Sequence, residues 1–110
     1  MIEHKELASG RWEKLSFVEQ MANIGGEVER ALNWRAKENP EYSQKAFERA
    51  LELLDLSLRS AAKNFPRLKE IARVRETLVD YFFGTNEYHS EEKSLRSYFL
   101  HFATAARLHS

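Results

Sequence analysis

Phe17-Val18-Glu19-Gln20-Met21-Ala22-Asn23-Ile24-Gly25-Gly26-Glu27-Val28-Glu29-Arg30-Ala31-Leu32 is the stretch on which the fold turns. Phe17, Met21, Ile24, Val28, Ala31 and Leu32 recur with a helical period of about 3.6 residues. The period runs through Gly25-Gly26 without losing phase. Two glycines in a helix interior cost roughly 1 kcal/mol each relative to alanine. A broken helix would relieve that cost but would not keep the phase. One continuous helix from about Arg11 to Glu38 is therefore expected. The glycines are explained by close approach of another helix, because a missing Cβ lets two backbones meet. Ser9 or Gly10 is the expected cap, after a polar lead-in over residues 1–10.

Gln20, Asn23, Glu27 and Trp34, with Arg30 a little further round, form a polar band beside this stripe. They read either as a small polar site next to the glycines or as a solvated boundary.

The few glycines and prolines punctuate the chain. Asn39-Pro40 ends the first helix, since the residue before proline is pushed out of the α region. A second helix is expected from Glu41 or Tyr42 to Lys63. Its stripe is Phe47, Ala50, Leu51, Leu54, Leu58, Ala61 and Ala62, with Leu53 and Leu56 on the far side. Leucines spread this widely imply a central helix or one that carries a partner chain.

Asn64-Phe65-Pro66 opens a third helix that runs to about Phe83. Its expected buried face is Leu68, Ile71, Leu78, Val79 and Phe82. Arg75 falls within that stripe. A guanidinium there needs a partner, because an unpaired buried charge is very costly. Asp55 is the first candidate and Glu27 the second. Gly84 is expected to stop the helix as a left-handed cap. Ser90 is expected to open a fourth helix, reaching about Arg107, with Glu91 and Glu92 in its first turn. Leu95, Tyr98, Phe99, Phe102 and Ala106 form its stripe. Seven of the 13 aromatic residues fall between Tyr81 and Phe102, which marks this stretch as an anchor of the core.

The expected architecture is a single all-α domain over residues 1–110, an up-and-down antiparallel bundle of four main helices. Lys+Arg and Asp+Glu both number 17. A formal charge of zero argues against general nucleic-acid binding, which needs a basic surface, and is permissive for self-association. A homodimer is expected from that charge, the small size and the leucines Leu53, Leu56, Leu100 and Leu108 read as outward. The absence of cysteine excludes disulfides, thiolate metal sites and thiol nucleophiles. No run approaches the roughly 18 apolar residues of a membrane span, and the expected location is the cytoplasm. His4, His89, His101 and His109 lack metal-ligand spacing, so neither a metal nor a cofactor is expected.

Arg96-Ser97-Tyr98-Phe99-Leu100-His101 is the one stretch with a catalytic look. Arginine and histidine at this spacing, late in a small helical domain, resemble the Arg-x-x-x-x-His motif of HEPN-type proteins. That resemblance implies a metal-independent ribonuclease, or the partner of a nucleotidyltransferase, with Arg96 and His101 acting on the 2′-hydroxyl and phosphate of RNA. Arginine's fork matches phosphate, and histidine titrates near working pH. On one ideal helix the two are rotated by roughly 140°, so a shared site requires a second chain or a distortion. The structural alternative pairs Arg96 with Glu92 one turn earlier. RNA is a partner only under the HEPN reading. A third possibility is a small-ligand site using Glu27, Arg30 and Arg75.

A broader resemblance rests on Asn23 to Ala31, Tyr42 to Asp55 and Asp80 to Tyr88. These segments look like a group of small uncharacterised all-α proteins from archaea and bacteria. It implies a stand-alone, self-associating helical domain with no established activity, and carries over no catalytic residues. The leading expectation for function is a non-enzymatic interaction or scaffold module.

Overall fold

The structure, a computed structural model, describes residues 10–108. Four helices carry the fold, and no strand occurs among the described residues: α1 (Phe17–Ala36), α2 (Pro40–Ser60), α3 (Phe65–Phe82) and α4 (Glu92–Leu108). The Gly25-Gly26 pair lies inside α1 without a break, as the preserved phase requires.

α1 starts at Phe17, the first residue of its apolar period, and not at about Arg11 as expected. Ser16 caps it in extended conformation, and its hydroxyl accepts from the Glu19 N–H while the Glu19 carboxylate accepts from the Ser16 N–H. This reciprocal capping box satisfies two donors that the first turn would leave unpaired. It holds the Glu19 carboxyl below its usual range, chiefly through the Ser16 N–H. Upstream, Trp12–Lys14 forms a short 3-10 helix. Of the two caps expected there, Ser9 lies outside the described residues, and Gly10 precedes this separate turn with φ 113°. Trp12, expected to be part of a long first helix, instead swings back and is fully buried. Its indole N–H donates to the buried Ser57 hydroxyl of α2 at 2.9 Å. Gln20, from the polar band, turns inward and donates to the Trp12 carbonyl at 3.0 Å. The band's inner edge thus fastens the N-terminal turn.

α1 closes on a Schellman motif built without glycine. The Glu38 N–H reaches the Arg35 carbonyl and the Asn39 N–H the Trp34 carbonyl, which forces Glu38 to φ 59°. The Asn39 side chain then accepts from the Tyr42 N–H to open α2, with Pro40 as its first residue. One residue therefore ends one helix and starts the next. A non-glycine residue at positive φ costs roughly 1 kcal/mol. Glu38→Gly is expected to raise stability by about 0.5–1 kcal/mol in urea unfolding, part of the gain being offset by the looser unfolded chain. A destabilised variant would show that the motif is not under strain.

One contiguous apolar core spans all four helices, centred on Met21, Ile24, Phe47, Leu54, Ile71 and Leu78. α1 packs directly on α2 and α4, and α2 on α3. α2 is also covered by the turn that carries Trp12. That arrangement corrects the reading of Leu53 and Leu56 as outward-facing, because both are buried. α2 is covered on several sides, so its apolar face is wider than a single stripe.

Two further expectations change on α3. The buried stripe runs Ile71, Val74, Leu78. Arg75 lies beside it, half-exposed, and donates to Asp55 at 3.0 Å. The first-choice partner is the one observed, but the pair is a surface one, which is worth little to stability. Gly84 does not adopt a left-handed cap, because its φ is not positive. Glycine is needed there for space: a Cβ would stand 2.9 Å from the Asp80 carbonyl oxygen. Asp80 organises the following loop. Its carbonyl accepts from the Gly84 and Asn86 N–H groups, and its carboxylate accepts from Glu87 and Tyr88 at 2.8 and 3.1 Å. The Asn86 side chain clasps the backbone of Ser90, both accepting from its N–H and donating to its carbonyl. α4 begins two residues past the expected Ser90 cap.

Candidate functional site

The two features singled out in sequence, the glycine pair and Arg96, meet in a groove between α1 and α4. Gly25 is the point of contact: a Cβ there would lie 2.8 Å from the Phe99 Cβ. Close approach of a second helix is thus the reason for this glycine. Gly26 is different. It faces outward, and a Cβ there would meet nothing within 4 Å.

The groove, of about 640 Å³, has a floor of Ala22, Gly25, Gly26, Phe99 and Ala103, with Leu100 on its α4 side. Leu100 is 60% exposed. Glu29, Glu92, Lys93 and Arg96 form the charged end. The shape follows from side-chain size: small residues on α1 let α4 settle close and leave a shallow apolar trough beside the contact.

Arg96 is heavily engaged. Its guanidinium donates to Glu92 at 3.2 and 2.6 Å, to the Asn33 side-chain oxygen at 3.0 Å, and to Glu29. These bonds, that to Glu92 first, raise its proton affinity further, so it is a fixed cation. An arginine saturated by two carboxylates and an amide clamps α4 to α1 and has little capacity left for a phosphate. His101 is exposed on another depression of α4, with Leu100, Thr104 and Leu108. Within the chain no hydrogen bond joins Arg96 to His101.

Of the small-ligand set, Glu27 and Arg30 come together at 3.2 Å, and Arg49 of α2 also donates to Glu27 at 3.1 Å. Glu27 is buried, and two arginines compensate its charge. Arg75 is elsewhere, on Asp55. The ion pair that was second choice for Arg75 is therefore made by Arg49, which sequence reading overlooked. Its only sequence signal is an arginine on the flank of the α2 stripe.

Among the described residues, no group of three or more histidine, aspartate or glutamate side chains is placed to hold a metal ion. No helix is long and apolar enough to cross a membrane, again among those residues. No protein-family model matches this chain, and neither a curated protein nor a solved structure matches it significantly.

Proposed function

We propose that this chain is a self-associating interaction module, an up-and-down antiparallel bundle that pairs with a second copy of itself through the α1/α4 groove. The observation that carries the reading is Gly26. It sits in mid-helix at a cost of roughly 1 kcal/mol, and no packing among the described residues requires it. A second backbone lying in the trough over Ala22 and Gly26, against Leu100, supplies the reason. Zero formal charge removes long-range repulsion between copies. Lys93, at the charged end and without an ion-pair partner among the described residues, is available to a carboxylate of the second copy.

The antiparallel arrangement is supported by contacts that run in opposite order along neighbouring helices. Phe17 meets Phe102 and Glu29 meets Arg96 across α1 and α4. Gln20 meets Ser60 and Trp34 meets Tyr42 across α1 and α2. Asp55 meets Arg75 and Phe47 meets Phe82 across α2 and α3.

Light scattering at micromolar concentration should give the mass of two chains, and Leu100→Glu should give one chain with unchanged helical circular dichroism. A single-chain mass for the native protein overturns the proposal. The rival reading, a HEPN-like RNA-processing component, needs a second chain to bring a histidine to an arginine that is not already saturated. Total RNA incubated with the native protein, Arg96→Ala and His101→Ala separates the two. Cleavage lost in both variants would favour the enzyme; equal cleavage, or none, removes it.

A further inference from the structure

α3 and α4 scarcely approach each other at the backbone, although both bury residues in the same core. The gap is a cleft of about 310 Å³ whose floor is Val74, Leu78, Leu95 and Phe99. All four are buried. Both ends are fixed. At one, the Tyr98 hydroxyl of α4 donates to the Glu70 carboxylate of α3 at 2.7 Å. Burial and that carboxylate push the phenol well above its usual range, so it remains a donor. At the other end, the loop braced by Asp80 and Asn86 carries His89 over the mouth, with φ 51° and its N–H on the Asn86 carbonyl.

The polar rim is uneven in what is already spent. Glu70 is occupied by Tyr98. Arg73, which borders the cleft and the adjoining depression toward Lys69, has no side-chain partner among the described residues, and neither does Lys69. Glu91 is the opposing carboxylate at the mouth. An apolar floor with a few convergent polar groups, in a volume near the lower end of the roughly 300–1,000 Å³ typical of ligand pockets, describes a small-molecule site. A cation without a partner beside such a floor favours an anionic head on an apolar body, since a charge-assisted bond is stronger near low-dielectric walls.

We propose that the α3/α4 cleft binds a small apolar anion, its hydrophobic body on Val74, Leu78, Leu95 and Phe99 and its negative group on Arg73. This site is separate from the α1/α4 groove, and neither proposal depends on the other.

The probe for a test is 1-anilinonaphthalene-8-sulfonate, an aromatic anion followed by fluorescence, compared with its uncharged relative N-phenyl-1-naphthylamine. Saturable one-to-one binding of the anion is expected, with the neutral probe weaker. Arg73→Glu should weaken the anion by about tenfold or more, the loss of one charge-assisted contact. Ser94→Trp, which fills the mouth from α4, should abolish binding of both probes. Lys63→Glu makes the same charge change in the connection between α2 and α3, outside the cleft lining, and should have no effect. Anion binding that is absent, that is unchanged in Arg73→Glu and Ser94→Trp, or that is lost equally in Lys63→Glu overturns the proposal. Equal affinity for the two probes overturns the anion requirement. Arg73 and Ser94 are both exposed, so neither variant threatens folding.

Discussion

Trp12→Ala should remove about 3–5 kcal/mol of folding stability, the range for deleting a fully buried large aromatic. The side chain is 1% exposed, and it is the largest fully buried one in the core. Its removal opens a cavity between the N-terminal turn and α2. It also leaves the buried Ser57 hydroxyl without the indole N–H that reaches it at 2.9 Å, an additional loss of about 1–3 kcal/mol if water cannot enter. Against a total of roughly 5–15 kcal/mol for a domain, this is enough to bring the variant near its unfolding threshold. Urea unfolding measures it directly. Ser57→Ala is the companion, with an expected loss of about 1–3 kcal/mol for the stranded indole donor. The double variant should lose less than the sum, because the two residues share one bond. A loss below about 1 kcal/mol for Trp12→Ala would mean that the turn undocks freely and that the helices hold the core without it.

Adjacent glycines should respond with opposite signs. Gly25→Ala places a methyl group 2.8 Å from the Phe99 Cβ, an atom that cannot move without moving α4. Overpacking of this kind costs about 1–3 kcal/mol even after alanine's better helix propensity is counted. Gly26→Ala meets open space and should gain about 1 kcal/mol from propensity alone. The comparison belongs in the Leu100→Glu background, where pairing of two copies does not contribute. A gap of about 2–4 kcal/mol between the variants is expected. Equal values would mean that α4 does not press on α1 at Gly25.

The four helices were legible because their apolar periods are long, and the asparagine–proline and asparagine–phenylalanine–proline boundaries are explicit. Illegible features depended on partners distant in the chain. Trp12 is 45 positions from Ser57, and nothing local distinguishes a buried N-terminal tryptophan from one on a longer helix. The burial of Leu53 and Leu56 depends on α2 being covered on several sides, which its own sequence does not encode. Val74 and Arg75 are neighbours, and a rotation of one residue decides which enters the core.

At the candidate site, Arg96 stood out and its Glu92 contact followed from helical spacing. Its bonds to Glu29 and Asn33 span 67 and 63 positions, beyond any local pattern. The difference between Gly25 and Gly26 appears only once α4 is in place.

The Asp80-centred loop has a consequence for the chain's tolerance of length change. One carboxylate holds the amides seven and eight residues ahead while the same residue's carbonyl holds those four and six ahead. Asp80 therefore acts as a ruler that counts the connection from α3 to α4. Surface connections ordinarily accept an extra residue readily, but one inserted between Gly84 and Asn86 would put the wrong amides on both Asp80 acceptors. Among the connections between the four helices, the longest one is fixed in length, and it sets where α4 begins.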